Sequence, residues 1–256
     1  MSKLAAEDKF LDLSDYGRPM AKLFANQLKN TRFTPIHVTF LFGFCGLVAI
    51  YCILQNHYIL ASFFIILKSI IDAADGELAR IKKTPSYVGR YLDSVFDIIL
   101  NLLFLMTICY VAQTKLCMTL IAFFCIQLQG TLYNYYYVIL RNKSVGGDKT
   151  SKIFENKSPE ALPGETQKWV NIWFGIYTIV YGIFDKIIHI LDSDAYKVNT
   201  FPNWFMTIVS LYGLGFQLLI IAIMLTFGWI EMIVPFFIFY SILIFVLIGI
   251  RKVYFK

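Results

Sequence analysis

Long apolar runs separated by short polar stretches make up most of the chain. Seven such runs follow residue 34, at about 36–54, 58–80, 91–111, 116–140, 169–191, 204–227 and 229–250. A helix needs about 20 apolar residues to cross the hydrocarbon core of a bilayer, and each run comes close to that length. The pattern predicts an all-α, polytopic transmembrane helix bundle over residues 35–256.

The distribution of basic residues bears on how many of these runs cross the membrane. Lys and Arg concentrate in the amino-terminal arm, near Lys82 and in the loop 141–168, which places those three regions on the cytoplasmic side. Seven spans would put the basic tail at 251–252 outside. The run 169–191 also has a polar stripe on one helical face, made by Lys168, Asn171, Thr178, Asp185, Lys186 and His189. We therefore expect six spans and an interfacial or re-entrant helix at 169–191; seven spans, with the stripe lining a cavity, are the alternative.

Residues 1–34 form a polar arm that is rich in Lys and Arg. Pro19 suits the first turn of a helix. After it, apolar residues share one face and polar residues the other, the apolar ones being Met20, Leu23, Phe24 and Leu28. The sequence predicts a cytoplasmic arm with an amphipathic helix on the membrane surface. A helix packed on the rest of the protein would show the same pattern.

Composition agrees with a membrane protein. Hydrophobic residues make up 58% of the 256 residues and charged residues only 16%, and the mean hydropathy is +0.63. The net charge of +6 lies in the loops between apolar runs. We therefore interpret this positive charge as a determinant of membrane orientation and a contact with anionic lipids, not as a nucleic-acid-binding surface.

Two stripes of acidic and small residues flank a basic turn at 82–85. Four residues before the turn share one helical face, with the spacing i, i+3, i+4 and i+7: Asp72, Asp75, Gly76 and Ala79. Three residues after it follow at i, i+4 and i+8: Gly89, Asp93 and Asp97. Pro85 disfavours helical geometry at Thr84, so the chain reverses there and the two stripes can face each other.

Four carboxylates close together near a membrane are costly unless a cation neutralises them. Only carboxylate oxygens are offered, so Mg²⁺ or Mn²⁺ fits better than Zn²⁺, and a pair of ions is compatible with four carboxylates. Mg²⁺ in such sites usually binds substrate phosphate as well, which Arg80 could also clamp. Gly76 and Gly89 leave space for a bulky group against the backbone. A polar stripe that holds helices together, or a cation pathway, would use the same residue types.

The motif D-x2-D-G-x2-A-R-x8-G-x3-D-x3-D is matched at every fixed position, and it resembles the signature of the CDP-alcohol phosphotransferases. The resemblance implies a homodimeric membrane enzyme that transfers a substituted phosphate from a CDP-linked alcohol to a hydroxyl and releases CMP. It implies that Asp72, Asp75, Asp93 and Asp97 bind two metal ions and that Asp97 is the general base. The residues implied to seat the CDP donor are Gly76, Ala79, Arg80 and Gly89.

A second, weaker resemblance lies at the start of the first run. Similar enzymes often have Pro-Asn-x-x-Thr near the nucleotide, whereas this chain has Ile36 in place of the Asn. Only Thr39 therefore carries over as a donor-binding residue.

The acceptor alcohol is less well defined by the sequence. Polar side chains within a span normally face the bundle or a cavity. The candidates for the acceptor pocket are Lys68, Asn134 and Arg141, with Gln127 and Gln129 beside them. Lys68 stands four residues before Asp72 and could instead pair with it. No arginine lies inside a span after Arg90, which favours an uncharged or zwitterionic alcohol over a phosphorylated one.

These observations predict an integral membrane enzyme of phospholipid synthesis. It would transfer a phosphatidyl group from CDP-diacylglycerol to a small polar alcohol, with the site open to the cytoplasm because the turn at 82–85 is basic. Transfer of a phospho-head group from a CDP-amino alcohol to diacylglycerol is the alternative within the family. A cation transporter is the alternative outside it.

Overall fold

The computed structural model describes residues 4, 8–144, 157–198 and 200–255, and their regular structure is helical throughout. Three short 3₁₀ turns, Leu13–Asp15, Ala195–Lys197 and Ser210–Tyr212, accompany the α-helices. The α-helices are α1 Arg18–Leu28, α2 Pro35–Leu54, α3 Tyr58–Lys82, α4 Tyr87–Val111, α5 Leu116–Lys143, α6 Gln167–Leu191, α7 Asn203–Val209, α8 Leu214–Thr226, α9 Ile230–Tyr240 and α10 Ile242–Tyr254.

Length and apolar composition confirm the predicted fold class. Within the described residues, five helical segments can cross a membrane, namely α2, α4, α5, α6 and the continuous stretch α9–α10. The pair α7–α8, bent by 54°, makes a sixth. The 25-residue helix α3 is not among them, since Lys68, Asp72 and Asp75 fall in its apolar part. The charged residues that distinguish the apolar part of α3 from those segments belong to the candidate site.

Contacts at the two ends of α6 join it to α4 and α5. Glu165, just before α6, accepts hydrogen bonds from Ser86 and Val88 at the start of α4. Asp192, just after α6, accepts a hydrogen bond from Tyr136 in the last third of α5. Length and composition allow α6 to cross a membrane, so the interfacial or re-entrant placement of 169–191 stays a prediction.

The amino-terminal arm packs on the bundle. The helix α1 follows the second half of α3, with Ala21 and Ala25 fully buried. Only part of the predicted apolar face is used for this packing, since Phe24 and Leu28 contact the core while Met20 and Leu23 are exposed. The structure shows the second of the two predicted arrangements, because one face of α1 packs on α3; contact of the exposed Met20 and Leu23 with the membrane surface stays a prediction.

The segment before α1 is inserted between α3, α5 and the bend from α7 to α8. The amide of Leu13 donates to Ser210 Oγ at 2.9 Å, and Tyr133 Oη donates to Asp12 Oδ2 at 2.6 Å. A side chain at Gly213 or Gly215 would overlap Ser14. These glycines allow the arm to reach the level of the candidate site.

The helices α3 and α4 both pack on α2, which sets their separation. Phe42 of α2 is fully buried, and its ring contacts Phe96 of α4 with centroids 6.2 Å apart. On the other side, the Lys68 ammonium of α3 lies 4.6 Å from the centre of the Phe42 ring. The turn between α3 and α4 uses Lys83 in the left-handed region, at φ 54°, and Ser86 as the amino-terminal cap of α4.

Candidate metal and substrate site

Three carboxylates from two helices converge at the centre of the site. Asp72 and Asp75 of α3 and Asp93 of α4 each offer an oxygen, and these three atoms lie within 4.8 Å of one another. The helical spacing on each side of the 82–85 turn produces this arrangement, because residues three or four apart share a face. The two predicted stripes face each other.

The helix α2 contributes a hydroxyl to this cluster. Thr39 Oγ1 donates to Asp75 Oδ2 at 2.8 Å, and the Thr39 side chain is almost fully buried. The contact holds the Asp75 carboxylate in one orientation. Ile36, which replaces the Asn of the weaker resemblance described above, is an apolar neighbour of Gly89 at the same end of α2.

The fourth aspartate, Asp97, has a different partner. Lys68, whose side chain is 1% exposed, donates to Asp72 Oδ2 at 2.9 Å and also to Asp97 Oδ1. Its ammonium therefore joins the two helices beside the cluster. The contact with Asp72 has the i, i+4 spacing visible in the sequence, whereas the contact with Asp97 depends on how α4 packs.

Arg80 lies across Gly76 and is held there by a residue that the sequence analysis missed. A Cβ at Gly76 would stand 3.6 Å from the Arg80 guanidinium, at ordinary van der Waals distance. Arg80 pairs with Glu77 at 2.9 Å, and Glu77 also pairs with Arg18 of α1 at 2.6 Å. Glu77 lies inside the signature. Because an acidic residue buried in a membrane helix is costly without basic partners, its presence there is the sequence signal that could have identified it.

Gly89 opens α4 next to a complete amino-terminal cap. Its amide donates to Ser86 Oγ at 2.8 Å, and the Ser86 hydroxyl donates to Glu165 Oε1 at 2.7 Å. Glu165 also accepts from the amides of Val88 at 2.8 Å and Tyr87 at 3.2 Å. Burial raises the pKa of Glu165, but these hydrogen bonds outweigh it and hold the pKa below its usual value. Glu165 is 79 residues from Ser86, so spacing could not identify it.

Lys68, one candidate for the acceptor pocket, lies in α3, and the other candidates all lie in α5. Asn134 is exposed, while Arg141 is buried near the end of the helix. Gln129 donates to the Phe237 carbonyl at 3.1 Å and to Ser241 Oγ at 2.7 Å, and so joins helices in the bundle interior. Ala79 is half-buried on the signature face of α3. Residues 145–156 of the basic loop 141–168 lie outside the described residues.

The donor atoms of the cluster fit a hard divalent cation. Carboxylate oxygens are the ligands that Mg²⁺ and Mn²⁺ prefer. Asp93 Oδ1 is buried and has no hydrogen-bond partner among the described residues. A buried acceptor of this kind normally has one, and a cation between Asp72, Asp75 and Asp93 would supply it.

A family model described as CDP-alcohol phosphatidyltransferase matches residues 32–229, which include Thr39 and both acidic stripes. The chain belongs to this family. Members of the CDP-alcohol phosphatidyltransferase family are membrane enzymes of lipid biosynthesis that transfer a phosphatidyl or other phospho group from a CDP-alcohol, generally with a divalent metal ion. A search of curated proteins found no match to the chain. The protein is therefore a transferase of this family, and its carboxylate cluster lies within the matched region.

Proposed function

We propose that the protein transfers a phosphatidyl group from CDP-diacylglycerol to the hydroxyl of a small polar alcohol and releases CMP. The observation that carries this proposal is the convergence of Asp72, Asp75 and Asp93 within 4.8 Å, inside the family signature. The active centre opens toward the cytoplasm, because Lys82 and Lys83 stand in the turn between α3 and α4.

In the proposed mechanism, Asp72, Asp75 and Asp93 would hold a divalent cation, and Asp97 would contribute to holding a second. The bound metal would stabilise negative charge on the donor's phosphate oxygens. Thr39 orients Asp75 for this task through its hydrogen bond. Arg80 and the open backbone at Gly76 and Gly89 seat the cytidylyl part of the donor.

Asp97 acts as the general base. The acceptor oxygen forms a bond to the donor's lipid-side phosphorus, the phosphoanhydride bond to CMP breaks, and the acceptor proton goes to Asp97. Without a second ion, the Lys68 ammonium contacts Asp97 and compensates the negative charge of its carboxylate. Diacylglycerol stays bound to the transferred phosphorus throughout.

Charge pairing around the site supports an uncharged or zwitterionic acceptor. Three cations on the elements around the cluster already have carboxylate partners: Lys68 pairs with Asp72 and Asp97, and Arg18 and Arg80 pair with Glu77. A phosphorylated acceptor would need a basic side chain in excess of these pairs. An alcohol without net charge needs none.

The proposal is tested with purified protein in lipid nanodiscs, radiolabelled CDP-diacylglycerol, Mn²⁺ and a panel of alcohols, with CMP release as the readout. We expect CMP release that depends on Mn²⁺ and on one uncharged or zwitterionic alcohol. Asp93→Asn and Asp97→Asn should each abolish it, whereas Asp194→Asn should leave it unchanged, because Asp194 lies on the surface and pairs with Lys197.

Each other outcome has a definite meaning. Release of CMP only from a CDP-amino alcohol in the presence of diacylglycerol would reverse the roles of donor and acceptor. A requirement for a phosphorylated alcohol would contradict the assignment of the acceptor class. The absence of CMP from every donor would refute the transferase mechanism and favour cation transport, which flux of Mn²⁺ into sealed vesicles would then reveal.

A further inference from the structure

Lys68 is the most deeply buried charged residue in contact with the carboxylate cluster. Its side chain is 1% exposed and lies against the Phe42 ring. Burying an ammonium is costly unless carboxylates compensate it. Asp72 Oδ2 and Asp97 Oδ1 both do so, which places the ammonium between α3 and α4 beside the three-carboxylate group.

The location of Lys68 matters for the number of cations that the site can hold. Asp72, Asp75 and Asp93 can bind one ion with no contribution from Asp97. A second ion that used Asp97 would need oxygens that Lys68 already contacts, on Asp97 and Asp72. A monovalent ammonium and a divalent cation on the same carboxylates repel each other and compete for the same lone pairs.

We propose that Lys68 makes the two cation positions unequal. The ion between Asp72, Asp75 and Asp93 binds first and tightly, and the ion that shares Asp97 binds weakly because it must displace the Lys68 ammonium. Lys68 is thus a positioning residue that sets the affinity for the second ion. The inference rests on the metal site of the proposed function, but not on the identity of donor or acceptor.

The test is a titration of the purified protein with Mn²⁺, without donor or acceptor. Binding is measured by calorimetry and by the electron paramagnetic resonance signal of free Mn²⁺. We expect one tight ion per chain and a second that is weaker by on the order of tenfold or more, the usual scale of coupling between neighbouring sites. Lys68→Met keeps the length of the side chain without its charge and should tighten the second ion more than the first, because the first ion has Asp75 and Asp93 as ligands that Lys68 does not contact. Lys68→Arg, which keeps the charge, should leave the second ion weak.

The matched control is Lys82→Met, which removes a lysine from the same helix. Lys82 donates to the carbonyls of Thr31 and Phe33, so its loss should change neither ion. Two wild-type ions of equal affinity would overturn the inference without any variant, as would a second ion unchanged in Lys68→Met. The absence of any bound Mn²⁺ would overturn the inference together with the proposed metal site. CMP release, measured separately, reports on the transfer reaction and not on this inference.

Discussion

Glu165 offers a sharp test of how α4 is held in place. The perturbation is Glu165→Ala, which removes the acceptor of the Ser86 hydroxyl and of the Val88 and Tyr87 amides. The Ser86 cap on Gly89 remains. After the change, the first turn of α4 keeps the Ser86 cap but loses Glu165. The amides of Tyr87 and Val88 must then form hydrogen bonds with water.

The magnitude follows from these contacts. Hydrogen bonds to a charged group contribute about 1.5–3 kcal/mol each when buried, and loss of an amino-terminal cap typically costs about 0.5–2 kcal/mol. Glu165 is half-buried, so water replaces some of the lost hydrogen bonds. The destabilisation is therefore smaller than the sum of these contributions. We expect about 2 kcal/mol for opening the first turn of α4, which corresponds to about a 30-fold loss of amide protection.

The assay is hydrogen–deuterium exchange of the peptide that covers residues 84–95. Glu160→Ala is the matched control, because it changes the same residue type at an exposed position of the same loop. Equal exchange in the two variants would refute the reasoning, since the cap would then contribute nothing to α4. A collapse of protection throughout the chain would also contradict it, because the effect predicted here is local.

The pH dependence of the same exchange gives an independent check. The pKa of Glu165 is held below its usual value, so its contribution is present above the unfolded pKa of about 4.3 and is lost as the pH falls through the lower folded value. Protection of α4 in the wild type should therefore fall toward that of Glu165→Ala only below about pH 4. Loss of protection at neutral pH would exclude Glu165 as its source.

Three further substitutions test other contacts. Asp192→Ala should destabilise the protein by about 3–5 kcal/mol in a thermal or denaturant melt in detergent, since it leaves the buried Arg251 unpaired. Gly215→Ala should lower the melting temperature as well, because a Cβ there would overlap the backbone of the inserted arm. Thr39→Val removes the hydrogen bond to Asp75 and should weaken Mn²⁺ binding by about tenfold or more in a titration, the usual effect of losing a partner of a metal ligand.

Each of these has a matched control. Asp194→Ala changes an exposed aspartate and Gly249→Ala adds a Cβ that meets nothing within 4 Å, so both should leave the melt unchanged. Thr39→Ser keeps the hydroxyl and should keep Mn²⁺ affinity. A control that behaves like its test variant would contradict the contact assigned in that case.

Much of the fold and the core of the candidate site follow from the sequence alone. Apolar runs of membrane-spanning length predict the helices. Helical periodicity places Asp72 and Asp75 on one face of the helix before the turn, and Asp93 on one face of the helix after it. Pro85 predicts the reversal between them. These features depend on neighbours within one or two helical turns, which is why local spacing is sufficient to predict them.

Other features were decided only by the packing of distant segments. The contact of Lys68 with Asp97, the hydroxyl of Thr39 on Asp75 and the cap that Glu165 provides for α4 all join helices or loops far apart in the chain. Periodicity assigns a side chain to a face of its own helix, but it does not say which other element covers that face. The sequence by itself thus determined the two acidic helical faces, whereas the tertiary structure decided that Asp72, Asp75 and Asp93 group together, that Asp97 pairs with Lys68, and which hydrogen-bond donors surround the cluster.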